Sequence, residues 1–457
     1  MAGRLMLAAL PWLLAATPGV ARAASASSSE GGGAGELTTV VIVVLVIGVA
    51  YVLAHNVVER LQRRFLVVSG AEYLFLGILL GPTFATIHVF EGKDNMTGLL
   101  PVIALAAGWV GLLRGTDFDF ASLQKLDPAT WRIVFLHHLL PGAAVGVSAY
   151  YFFTEPGVIY EVWEIGDEER RLAKLSAAAL ACFAAADSAE PFDLLSRRYE
   201  ISGRLSPLLR NGTRLGDIMV ILAFGLIFCV FHQSAEEAVK YSASFWAWVT
   251  VLLGAALGFL FSLFLAGDES DNSRFLALVG IIAFASGGAY FLELSPLAVN
   301  LSMGFVLVNF ARGGHLLHST LESTERPMTI VLLIFAGALW VPTEPKMTLA
   351  ALAGFLVLRT SAKWLASVIA AWGTSLRKDI FRGLLAHGDV TLAMAVSFRL
   401  VYDGGPADIA YSVVLGSIVI NDLIAPRLLR GLLADQGEIQ REIRETDSRT
   451  SIEVTAK

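Results

Sequence analysis

The chain has 457 residues, of which 55% are hydrophobic and only 16% charged, and its mean hydropathy is +0.65. A soluble domain carries about 25% charged residues, so an ordinary water-soluble fold is excluded; repeated apolar runs of bilayer-crossing length account for the deficit. The formal net charge of −6 is small, and where the charges sit matters more than their sum.

In chain order, "MAGRLMLAALPWLLAATPGVARA" (1–23) has Arg4, an apolar stretch and then Ala21-Arg22-Ala23, the order of a cleaved secretory signal peptide. Residues 24–36 are Ser/Gly-rich and read as a flexible tether. Apolar runs set against turn and charge signals place thirteen helices near 37–54, 66–81, 97–113, 132–153, 175–195, 213–231, 244–266, 275–292, 295–310, 327–341, 348–371, 383–401 and 408–430. They form one all-α, polytopic membrane domain over 37–432, followed by a short polar tail, 433–457. Cys182 and Cys229 lie inside apolar spans without metal-ligand spacing and read as packing residues.

Signal cleavage puts the mature amino terminus outside, and thirteen spans then put the carboxyl terminus in the cytoplasm. The expected inner loops hold Arg60, Arg63 and Arg64, then Arg197, Arg198, Arg204 and Arg210, then Arg377, Lys378 and Arg382, in keeping with the positive-inside rule. Arg170 and Arg171 in an outer loop, and the acidic inner loop "GDESDNS", run against it.

An ionisable group at bilayer depth costs from about 2.5 kcal/mol upward, so each one is a functional candidate. In "AAADSAEPFDLL", Pro191 lacks an N–H and Ser188 competes for backbone bonds, which predicts a local helix break. Asp187 lies deepest and reads as an ion-site residue or a helix cap; Glu190 is nearer the break; Asp193 reads as a surface partner of Arg197. Asp217 begins a long uncharged run and reads as a site residue or as an N-terminal dipole partner in the first turns of its helix, with Arg214 one turn before it. Arg359 and Lys363, four apart, share one helix face; each reads as a counter-charge to a buried acid or, for Lys363 more readily, as a residue snorkelling to an interface. His387, Gly388 and Asp389 make a second polar break, and Asn421-Asp422 read as an interfacial cap. A break in each half suits two inverted repeats crossing near the midplane.

At these residues the chain resembles the monovalent cation:proton antiporter superfamily, of the sodium/proton and potassium-efflux type. "GAEYLFLGILLGP" (70–82) is similar to its G-x-x-x-x-x-G-I-L-L-G-P pattern, and "ADSAEPFDLL" stands where the family has T-D-P-V-A-x-x-x-L-L. "LGDIMVI" stands at N-D, D-D or Q-D, and "LSPLAVNLSMGFVLVN" (294–309) at L-S-P-x-L-G-A-F-x-A-G-x-x-L-x-N. "GFLVLRTSAK", "HGDVTLA" and "GSIVINDLIAPRLL" follow in the family's order, and the resemblance spans 66–430. The chain departs from the pattern at Ala186, Ser188, Gly212, Gly216 and His387, and Glu190 has no counterpart.

The resemblance implies a secondary transporter that exchanges Na+ or K+ for protons by alternating access. It is then a homodimer in the bacterial plasma membrane, not an enzyme, with no cofactor beyond the transported ions and no nucleic-acid partner. Asp217 is the implied transporting carboxylate, Asp187 and Ser188 meet the cation at the break with Glu190 nearby, and Arg359 and Lys363 are counter-charges, one of them expected beside Asp217. Two other readings stay open: a non-transporting sensor or assembly subunit with a decayed ion site, and a carrier of organic anions on the same fold. An intramembrane aspartyl protease is not supported, because Arg214 stands where its G-x-G-D motif needs glycine. Mass spectrometry of the purified protein is expected to find a mature amino terminus near Ala24; an intact Met1 would contradict cleavage.

Overall fold

The computed structural model describes residues 70–81, 100–124, 127–155, 166–232, 241–265, 271–311, 314–373 and 377–442. The predicted signal peptide, the Ser/Gly-rich segment, the span at 37–54 and the tail beyond residue 442 lie outside the described residues.

Each of the other twelve predicted spans coincides with helix. The helices are α1 (Ala71–Leu80), α2 (Leu100–Thr116), α3 (Pro128–Thr154), α4 (Asp167–Ala185), α5 (Glu190–Ser196), α6 (Leu205–Val230) and α7 (Ala243–Leu265). The rest of those longer than one turn are α8 (Asp271–Phe291), α9 (Pro296–Phe310), α10 (Gly314–Ala338), α11 (Pro345–Ala371), α12 (Asp389–Val401) and α13 (Gly405–Asp435), and a single helical turn, Phe120–Leu123, follows α2. Among the described residues, six segments are long and apolar enough to cross a membrane: α3, α4 with α5, α6, α7, α11 and α13.

Four boundaries differ from the sequence reading. The span at 175–195 is two helices, α4 and α5, and α12 begins only at Asp389. α6 begins at Leu205, so Asp217 lies more than three turns inside it, beyond reach of the N-terminal dipole. α10 begins at Gly314 and runs through Pro327, so its charged first half is helix rather than loop.

A small sheet departs from the all-α expectation. β1 (Tyr199–Ile201) pairs antiparallel with β2 (Ile439–Glu442). Glu438, in the turn before β2, accepts hydrogen bonds from the N–H groups of Leu205 (2.6 Å) and Ser206 (3.0 Å). It thereby satisfies two of the otherwise unpaired donors at the start of α6.

The helices pack closely where side chains are smallest. A Cβ on Gly304 of α9 would overlap the Leu112 carbonyl and lie 2.9 Å from the Gly115 Cα of α2. On α1, Gly77 would meet α10 in the same way, with the Gly337 Cα 2.9 Å away. Small residues at such crossings let helix backbones touch, which drives association where lipid is as apolar as the side chains. Gly77 and Gly81 are the glycines of "GILLGP", so that motif is the face of α1 seated on α10.

Gly304→Val is expected to push α2 and α9 apart and cost about 1–3 kcal/mol, an overpacking penalty, read as a lower melting temperature in detergent. Gly280→Ala, whose added Cβ would meet nothing within 4 Å, should leave melting unchanged or slightly raised.

Candidate functional site

Two helix breaks meet at the centre of the site. α4 ends at Ala185, and Ala186 turns to extended backbone (φ −62°, ψ 143°). The chain stays non-helical through Ser188, and α5 starts at Glu190. Pro191 falls in the first turn of α5, where its missing N–H leaves nothing unpaired. Pro191 therefore starts the second half-helix, at the local break the sequence reading expected. Ser188 Oγ accepts from the Glu190 N–H at 3.1 Å.

The second break follows a 3-10 turn, Ile380–Gly383; residues 385–388 are non-helical and α12 begins at Asp389. A Cβ on Gly388 would stand 2.5 Å from Ser188 Oγ, so glycine is what lets the two breaks cross in contact. His387 is buried, with Nε2 2.8 Å from Ser417 Oγ on α13 and Nδ1 3.3 Å from Thr391 Oγ1.

Arg359, on α11, binds both breaks. It donates to the carbonyls of Ala184 (3.1 Å), Ala186 (2.8 Å) and Leu385 (2.6 Å). It also lies 3.8 Å from Asp187 Oδ1. Lys363, one turn on and fully buried, forms the direct ion pair with Asp187 through the same oxygen. Both cations thus face the protein interior, and neither snorkels.

A second cluster surrounds Arg114, near the end of α2. Its guanidinium donates to both oxygens of Asp389 (2.9 Å each) and to Glu325 of α10 (2.8 Å). It also lies 3.5 Å from Asp117 and 3.6 Å from Asp217. The described cation paired with Asp217 is therefore Arg114, not Arg359 or Lys363 as the sequence reading expected. Arg214 reaches Asp117 at 3.6 Å rather than Asp217. Asp193 pairs with Arg210 of α6 rather than with Arg197.

The structure thus gathers Asp187, Ser188, Arg359, Lys363, His387, Gly388 and Asp389 at the crossing, with Asp217 joined to Asp389 through Arg114. Glu190 is half-buried at the start of α5, with Asp389, Asp422 and Glu325 among its charged neighbours. Asp422 lies in the middle of α13, half-buried, with Arg359 and the His387 backbone among the groups acting on it. It belongs to the crossing rather than to an interfacial cap.

The sequence reading missed Arg114, Asp117, Glu325 and His138. Arg114 and Asp117 flank an apolar run, as interfacial residues do. Glu325 sits in the charged stretch "LESTERP". A signal for His138 was available, since "LHHLL" puts two histidines inside an apolar span. Among the described residues no group of three or more His, Cys, Asp or Glu has the geometry to hold a metal ion.

Chemically, the arrangement offers buried and half-buried carboxylates in excess of cations: Asp117, Asp187, Asp217, Glu325 and Asp389 against Arg114, Arg214, Arg359 and Lys363. Such a set is balanced by taking up protons or small cations. Arg359→Lys keeps the charge but cannot reach three carbonyls with one ammonium group. It is expected to cost about 1.5–3 kcal/mol for each charged hydrogen bond lost, measured by thermal unfolding in detergent; an unchanged melting temperature would show that Arg359 does not hold the breaks.

No protein-family model matches the sequence, and no curated protein matches it. Solved structures do. The sodium proton antiporter MjNhaP1 from Methanocaldococcus jannaschii at pH 8 superposes with a TM-score of 0.58 at 13% identity, covering 86% of this chain and 99% of that one. A structure of the same antiporter from an electron-microscopy map gives a TM-score of 0.58 at 14% identity, covering 88% and 99%. The chain therefore shares the fold of the solved sodium proton antiporter MjNhaP1.

Proposed function

We propose that the protein is a secondary transporter exchanging a monovalent cation, Na+ or K+, for protons across a membrane. The observation that carries this reading is the excess of buried and half-buried carboxylates over cations at two crossing helix breaks, whose carbonyl ends are bound by one arginine. Discontinuous helices build ion sites in secondary transporters, because freed carbonyls and half-helix ends face the cargo.

Asp217 is the residue at which proton and cation compete. It is buried inside α6, and its Oδ1 has no hydrogen-bond partner among the described residues. Arg114 cannot lose its proton in a protein, so it serves as a fixed counter-charge that links Asp217 to Asp389. Asp187 is the second cation ligand, with Ser188 beside it, and Lys363 is the mobile counter-charge that yields as a cation arrives. Alternating access then takes the form of one bundle rocking against the other about the crossing, as in transporters built from inverted repeats. The antiporter fold of the solved relatives supports this reading. A homodimer in the bacterial plasma membrane, amino terminus outside and carboxyl terminus cytoplasmic, completes the proposal.

Purified protein in proteoliposomes tests it, with Na+, K+ and Li+ offered in turn and the exchange read by an internal pH dye and a voltage probe. Asp217→Asn keeps the side chain's shape but cannot carry a proton; it is expected to fold, insert and exchange nothing. Raising the cation concentration should shift the wild-type activation profile to lower pH, because both ligands share one site. Normal exchange by a well-folded Asp217→Asn protein would overturn this assignment, and no cation-coupled proton movement by the wild type would leave the sensor or organic-anion readings.

A further inference from the structure

His138 lies on α3 and takes no part in the scheme above, yet its ring occupies the centre of the site. A Cβ on Gly216 would overlap the His138 Nε2 and Cε1 atoms, so the imidazole fills the space where any other residue before Asp217 would put a side chain. The ring's Nδ1 stands 2.6 Å from the Val134 carbonyl. A carbonyl only accepts, so Nδ1 carries the hydrogen, and in the neutral ring Nε2 presents a lone pair.

That lone pair faces Asp187 Oδ2 at 3.6 Å. Both atoms are buried, and neither has a hydrogen-bond partner among the described residues. The other oxygen of Asp187 is held by Lys363. The charged groups acting on the ring are Asp187, Lys363 and Arg359, and His137 adjoins it on α3. Two lone pairs turned toward each other out of water repel, and the arrangement is favourable only with a positive species between them.

The spacing suits a bare ion. A cation of calcium size, which sodium also has, sits about 2.3–2.6 Å from its ligands. At that distance it touches both atoms 3.6 Å apart with a ligand–ion–ligand angle of roughly 95°, a normal cis angle in a six-coordinate shell. We propose that His138 Nε2 is a ligand of the transported cation and forms, with Asp187 Oδ2, a two-sided seat closed over Gly216; the inference rests on the exchange reading above. A nitrogen lone pair is a softer donor than a carbonyl or carboxylate oxygen and holds a hard alkali ion less tightly. That suits a cargo, which must be bound firmly enough to enter and loosely enough to leave.

Three variants test the seat in the full chain: His138→Leu, His138→Gln and Gly216→Ala. Leucine removes the donor, and alanine at 216 displaces the ring while keeping it. Both are expected to raise the half-saturating Na+ concentration about tenfold, equivalent to about 1.4 kcal/mol. Glutamine supplies a harder oxygen at similar volume, so it should lower the half-saturating concentration and slow the maximal rate. Wild-type half-saturation in both His138→Leu and Gly216→Ala would overturn the proposal. A changed pH profile at unchanged cation dependence would also overturn it, because the ring would then serve the proton. Thermal unfolding in detergent with NaCl against choline chloride separates this failure from that of the exchange reading. If the wild type exchanges nothing yet is stabilised by Na+, and His138→Leu loses that stabilisation, the seat stands while transport falls; no Na+ stabilisation of the wild type would overturn the seat.

Discussion

The hydrogen bonds from Arg359 to the carbonyls of Ala184, Ala186 and Leu385 are what the rest of the site depends on. A helix that stops inside a bilayer leaves carbonyls with no water to bond, and each such group costs several kcal/mol. Here one guanidinium takes carbonyls from both breaks, so the two non-helical stretches are fastened to each other through α11. Contact of Gly388 with Ser188 follows from that, and so does the depth of Asp187. Arginine suits the task because its donors point in several fixed directions and its charge is permanent.

Around this fastening the charges divide into two groups that share few contacts. Lys363 and Arg359 serve Asp187, while Arg114 serves Asp217, Asp389, Glu325 and Asp117. Asp389 belongs to both, since it is the first residue of α12 directly after the crossing and the strongest partner of Arg114. A change of charge at Asp217 therefore reaches the second break through a single guanidinium. Buried pairs of this kind add little net stability, but losing one partner is costly, because the other charge stays buried. Such a site tolerates positive charge arriving as other positive charge leaves, as the proposed exchange requires.

Much of this was legible in the sequence, for identifiable reasons. Apolar runs located the spans because crossing a bilayer demands a fixed length. Asp187 and Ser188 announced the first break, since no apolar helix needs them. Gly388 between His387 and Asp389 announced the second. The pairing of charges was not legible, because it depends on which helix faces which: Arg359 and Lys363 were seen as counter-charges but not assigned to Asp187. Arg114 was hidden by position, since a cation ending an apolar run looks the same at an interface as in a site. Glu325 was hidden by Pro327, which α10 carries without stopping. Gly216 was noticed as a departure, but only the ring of His138 explains it.

The Glu438 contacts have a consequence for the order in which the protein is assembled. They join residues separated by 233 and 232 positions, so they close a ring of chain containing α6 through α13. Closing so long a loop costs entropy that grows with the logarithm of its length, and only contacts already formed inside it can lower that cost. Glu438 follows α6 through α13 in the chain, so the clasp on Leu205 and Ser206 closes at least cost once those helices have packed.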